Sequence, residues 1–167
     1  MAHNPRYVVR FRRRREGKTD YHKRTRLLKS HQSRFVVRKS LRHMTVQIIN
    51  AELVGDTTVV SAHSSELKRY GWEAVKGNLP EAYLVGYLAG LKAKKASLGK
   101  ALLDTGTYAV VRGGRIFASV RGALDAGLAV PCDESVLPKE ERMRGAHISE
   151  KIAGSFEVTK KKMEEAF

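Results

Sequence analysis

The chain of 167 residues is short of several things, and each shortage excludes something. It has one cysteine, Cys132, so no intramolecular disulfide can form and a zinc site built on several thiolates is excluded. A single cysteine fits a reducing compartment. No long apolar run is present. The longest, Ala82 to Leu91, is about half the ~20 residues a membrane span needs, and Lys92, Lys94 and Lys95 follow it. The first residues, Met1 to Arg15, contain no apolar signal core, so secretion by that route is not expected and a soluble protein is. Acids are scarce where bases are dense. The first 44 residues hold fifteen Lys and Arg but only Glu16 and Asp20, a net of +13. The other 123 hold seventeen basic and fifteen acidic residues, a net of +2.

The formal charge of +15 is therefore concentrated in an N-terminal quarter carried by an almost neutral body. Such a cationic segment attracts phosphate. Arginine predominates in it, and guanidinium forks phosphate oxygens and stacks on bases as ammonium cannot. Tyr7, Phe11 and Tyr21 lie among the charges, either as stacking platforms for bases or as anchors onto the body. Lipid is the poorer partner, because Arg10 to Arg15 has one phenylalanine and no apolar face.

The chain is 42% hydrophobic in composition, which supplies a core. Residues 1–18 read as an extended arm, expected to be disordered without RNA because its like charges have no local partner. Thr19 reads as the cap of a short basic helix from Tyr21 to Lys29, anchored by Leu27 and Leu28. Three strands follow at Arg34–Ser40, Met44–Asn50 and Thr57–Ala62, joined closely enough for an antiparallel meander. Asn78 caps a helix over Glu81–Ser97 with Pro80 in its first turn. Its Gly86 and Gly90 predict close approach of the helix to the sheet. A short strand at Ala101–Asp104, a helix over Ile116–Ala126, a strand at Leu128–Pro131 and a helix from Pro138 towards Ile152 complete the order. Alternating strands and helices imply crossovers, hence a mixed sheet. The expected organisation is a basic arm and helix (1–33), an α/β body (34–155) and a peripheral C-terminal segment (156–167).

Enzyme signatures are weak. Asp104-Thr105-Gly106 matches an aspartic protease turn, but two such carboxylates must share a proton and the chain has one turn. It reads as a strand end. Gly17-Lys18-Thr19 lacks the first glycine of a phosphate-binding loop, having Arg12 there. Nuclease chemistry needs several convergent carboxylates, and the early strands offer only Glu52 and Asp56. The histidines (His3, His22, His31, His43, His63, His147) show no metal-ligand spacing and suit an RNA surface or solvent. No cofactor, metal or small-molecule substrate is expected.

One ordered set of segments is specific. Arg12-Arg13-Arg14-Arg15-Glu16-Gly17-Lys18-Thr19-Asp20-Tyr21 is followed by Arg24-Thr25-Arg26-Leu27-Leu28-Lys29. Arg34-Phe35-Val36-Val37-Arg38-Lys39-Ser40, Gln47-Ile48-Ile49, Gly77-Asn78-Leu79-Pro80-Glu81-Ala82-Tyr83-Leu84 and Arg121-Gly122-Ala123-Leu124-Asp125-Ala126-Gly127-Leu128 come next. Together they resemble the archaeal form of the 5S rRNA-binding family of the large ribosomal subunit (L eighteen, with eukaryotic L five as its longer relative). The resemblance implies a three-layer mixed α/β fold similar to the ribonuclease H motif, as in other translational components. It implies a non-catalytic protein of the cytoplasmic ribosome, seated in the central protuberance. The partners it implies are 5S rRNA, 23S rRNA and neighbouring large-subunit proteins, including the other 5S-associated one. The second reading is another basic architectural protein of nucleic acid. The residues expected to meet RNA are Tyr7, Arg10, Phe11, Arg12, Arg13, Arg14, Arg15, Lys18, Thr19, Tyr21, Lys23, Arg24, Arg26, Lys29, Arg34, Arg38, Lys39, Arg42 and His43.

Overall fold

A computed structural model describes residue 4, residues 6–73 and residues 77–167; His3 lies outside them. Strands β1 (Arg34–Lys39), β2 (Met44–Ala51) and β3 (Asp56–His63) form the expected antiparallel meander. A fourth, β4 (Leu102–Asp104), pairs in parallel with the free edge of β1, giving the order β3-β2-β1-β4. Alternation along the strands turns Phe35, Val37, Val46, Ile48, Val60 and Ala62 to one buried face.

Helices α3 (Leu79–Lys95) and α4 (Arg115–Asp125) cover that face side by side. Asn78 caps α3, its side chain accepting the Glu81 N–H at 2.9 Å, and Pro80 stands in the first turn. Every residue of α3 from Pro80 to Gly90 is buried, because the sheet, α4 and the C-terminal helices surround it. The glycines of α3 do not approach the sheet as expected. Gly86 meets the Ser119 backbone of α4 and Gly90 meets Ala123 of α4 and Ala126 at its end, while Gly122 of α4 meets the Tyr83 carbonyl. The two helices cross at their backbones.

Four expectations need correction. Leu128–Pro131 is not a strand: only a parallel bridge between Lys100 and Ala129 forms, although Leu128 and Val130 are buried. The last helix is two, α5 (Glu140–Arg144) and α6 (Glu150–Ala166). Gly145, in the left-handed region at φ +80°, ends the first, and the Ser149 side chain caps the second by accepting the Ile152 N–H. α6 then runs through the segment expected to be peripheral and buries Phe156, Thr159 and Met163. The arm, read as extended, contains one helical turn, α1 (Arg12–Arg15).

Candidate nucleic-acid interface

The opposite face of the sheet carries the cationic segment. Helix α2 (Tyr21–Leu28) begins at Asp20, whose carboxylate accepts the N–H groups of His22 and Lys23 at 2.9 and 3.2 Å. The Lys23 N–H bond leads in holding the Asp20 carboxyl below its usual range. Thr19 is not the cap: its Oγ1 accepts from Arg13 Nε at 2.8 Å and ties α1 to the loop. No residue of α2 is fully buried; Leu27 and Leu28 are only half-buried. Apolar packing is therefore a weak anchor for this helix, and charge replaces it.

The Arg24 guanidinium forks Asp56, at the start of β3, with N–O distances of 2.8 and 3.0 Å. Arg34 on β1 bridges two carboxylates, Asp56 at 2.6 Å and Asp104 at 2.9 Å. Lys23 donates to Thr105 Oγ1 at 2.5 Å and to the Gly106 carbonyl at 3.2 Å. Asp104 also accepts the Gly106 N–H at 2.9 Å. The Arg24 hydrogen bond leads in holding the Asp56 carboxyl low, and the charge of Arg34 adds to it against the opposing effect of burial. The Asp-Thr-Gly turn that resembles a protease signature is thus an acceptor for basic side chains at the end of β4.

Twelve of the expected contact residues are exposed: Tyr7, Arg10, Phe11, Arg12, Arg13, Arg14, Arg15, Lys18, Arg26, Lys29, Arg38 and Arg42. Thr19, Tyr21, Lys23, Arg24, Lys39 and His43 are half-buried. Arg34 departs from expectation. It is 3% exposed and spent on two acids, so it supports the surface rather than meeting phosphate. Phe11 lies 5.2 Å from the Tyr21 ring, which anchors the arm to α2 while 71% of Phe11 stays open. Lys39 Nζ stands 5.7 Å over Tyr108, and His43 Nδ1 lies 2.9 Å from Ser64 Oγ. Between the arm and the sheet runs an open groove of about 720 Å³, lined in part by Arg13, Lys18, Tyr21, Arg38 and Tyr108.

Reasoning from sequence missed Asp56 as the partner of Arg24 on the basic helix and Asp104 as a partner of Arg34 on β1, since charge counting treats scattered acids as background. It also passed over the loop after β4, where Tyr108, Val110 and Val111 are exposed. Among the described residues no group of three or more His, Cys, Asp or Glu is placed to hold a metal. No helix among them is long and apolar enough to cross a membrane.

A mixed sheet with helices packed on one face and a cationic arm laid on the other defines a basic α/β protein of the nucleic-acid-binding class. Residues 5–101 match the family described as "Ribosomal large subunit proteins 60S L5, and 50S L18". The chain is 50% identical over 149 residues to the Large ribosomal subunit protein uL18 of Methanoregula boonei, covering 89% of this chain and 86% of that one. It is 52% identical over 150 residues to the uL18 protein of Haloarcula marismortui, covering 90% and 80%. With that of Methanothermobacter thermautotrophicus the identity is 51% over 150 residues, covering 90% and 78%. The chain belongs to this family of large-subunit ribosomal proteins. Its role is that of a structural, non-enzymatic component of the cytoplasmic ribosome.

Proposed function

We propose that this protein binds 5S rRNA through its arm, α2 and the adjoining sheet edge, and helps attach that RNA to the large subunit in the central protuberance. It also contacts 23S rRNA and neighbouring large-subunit proteins, including the other 5S-associated one. Residues 1–33 are the contact segment, and the body from residue 34 presents it. The observation that carries this reading is the charge split of +13 and +2, together with the exposure of most arm arginines. The two acids of this segment are engaged locally, Glu16 with Lys18 at 2.8 Å and Arg12 at 3.9 Å and Asp20 at the α2 cap, and among the described residues exposed Arg10, Arg14, Arg15, Arg26 and Lys29 pair with neither.

RNA binding through phosphates releases condensed counterions, with a salt slope of about −0.7 per contact on single strands. About eight contacts give a slope near −6. The test is a salt titration of 5S rRNA binding by the full chain and by a chain lacking residues 1–25. The truncated chain is expected to lose most of its affinity and most of its slope. An unchanged affinity overturns the reading. An equal affinity for duplex DNA of the same length moves the protein to general architectural binding.

A further inference from the structure

Two carboxylates sit inside a surface that is otherwise cationic, where simple charge counting makes them a liability for a phosphate ligand. Their geometry gives them another use. Asp56 takes both free nitrogens of Arg24 from α2, and it shares Arg34 with Asp104. The turn after Asp104 takes Lys23 from the same helix. α2 has eight residues and buries none completely. A helix that short is unstable by itself in water. These polar bonds, reaching from β3 and from the end of β4, are what place it.

We propose that Asp56 and the turn begun by Asp104 position α2 before RNA arrives, so that the RNA meets a preformed cationic surface: Asp56 and Thr105 hold Arg24 and Lys23 of the helix, and Asp104 supports them by holding Arg34 and the Gly106 N–H. This rests on the 5S rRNA reading above. Arg34 is the keystone because it is buried between the two acids and cannot be shared with phosphate. Exposed Arg26 on α2, Lys29 just after it and Arg38 on β1 are left to meet the ligand. Undocking would scatter the α2 cations and lower the fraction of chains ready to bind. Apparent affinity falls by that fraction.

The sign of one substitution separates positioning from charge. Asp56→Asn makes the protein more positive, so pure electrostatics predicts tighter RNA binding. Positioning predicts weaker binding to a 5S rRNA transcript, by about fivefold to tenfold. Heparin, a polyanion with no fixed shape, should bind as well as before or better. Asp56→Glu should recover 5S affinity to within about twofold. In RNA-free protein, hydrogen exchange at the amides of residues 21–28 should quicken in Asp56→Asn while that of β1 and β2 holds. If Asp56→Asn fails to fold, Thr105→Val, which removes one Lys23 acceptor, gives the same exchange readout. Unchanged α2 exchange, or 5S binding equal to or tighter than that of the parent, overturns the proposal. Exchange involves no RNA, so it decides the docking even if the parent protein proves not to bind 5S rRNA, an outcome that would sink only the broader reading.

Discussion

Gly86 of α3 and Ser119 of α4 meet backbone to backbone, so closely that a Cβ on Gly86 would overlap the Ser119 carbonyl. Gly122 makes the reciprocal approach to the Tyr83 carbonyl. This crossing lets two helices share one face of a four-stranded sheet.

Gly86→Ala is therefore expected to force the helices apart at a cost of about 3 kcal/mol. A helical glycine with open space around it should respond in the other direction. Gly154 of α6 has nothing within 4 Å of its would-be Cβ, so Gly154→Ala should stabilise by about 0.5–1 kcal/mol. Urea unfolding midpoints of the two variants check both signs. A neutral Gly86→Ala would show that the crossing is slack.

Arg34 and Arg38 stand on the same face of β1, yet their substitutions should separate stability from binding. Arg34→Ala leaves the mostly buried Asp104 without its cation and is expected to cost about 3–5 kcal/mol. Arg38 is exposed, so Arg38→Ala should change stability by less than about 0.5 kcal/mol. It should reduce the salt slope of 5S rRNA binding by about 0.7 if Arg38 meets one phosphate. Unfolding curves and salt titrations run on both variants would contradict this if the two effects came out exchanged.

Acid should loosen the docked helix. The Arg24 hydrogen bond leads in lowering the Asp56 carboxyl. Burial alone would raise that of Glu66, but the Lys92 ammonium and the His63 N–H reverse it. Both folded values lie below the unfolded ones. Their contribution is therefore present above the ordinary carboxylate range, about 4, and is lost as pH falls through the folded values. Denaturation midpoints should begin to drop as pH falls below about 4.5 and keep dropping on further acidification. The drop should be shallower in Asp56→Asn combined with Glu66→Gln, and an equal drop would assign the acid sensitivity elsewhere.

Alkali should act through two phenols. Tyr83 donates to Asp125 at 2.7 Å and Tyr87 to Glu164 at 2.6 Å, and their rings stack 6.1 Å apart. Burial raises both above the ordinary phenol value, and the accepting carboxylates raise them further. A folded state that keeps these protons loses stability as pH rises above about 10, where the unfolded chain releases them. Absorbance titration should show Tyr83 and Tyr87 ionising only as the protein unfolds. Tyr87→Phe should lessen the alkaline loss, and smooth ionisation of all tyrosines in the folded protein would refute it.

Much of this protein could be read from its residues because the signals are local. The β-branched runs, the Asn78 cap with Pro80 behind it, and the helix ending before Gly127 each depend on neighbours a few positions away. Errors arose where two local signals competed. Thr19 and Asp20 can both cap, and Asp20 does, which frees Thr19 for Arg13. The glycines of α3 announced a close approach, but the partner expected was the sheet and the partner found is α4, because spacing describes one helix and not what lies against it.

The order β1, β2, β3, α3, β4, α4 and the address of the charge were legible in the residues as properties of composition and short-range pattern, and the family was legible in the resemblance of an ordered set of segments. Tertiary structure alone decided which cations are free. Arg34 looks like its neighbours in the basic segment, but its partners stand 22 and 70 positions away. Only the parallel entry of β4 beside β1, and the return of β3, bring Asp104 and Asp56 against it. A charge on a chain is set by residue type. Its availability to a ligand is set by what folding places within hydrogen-bonding distance.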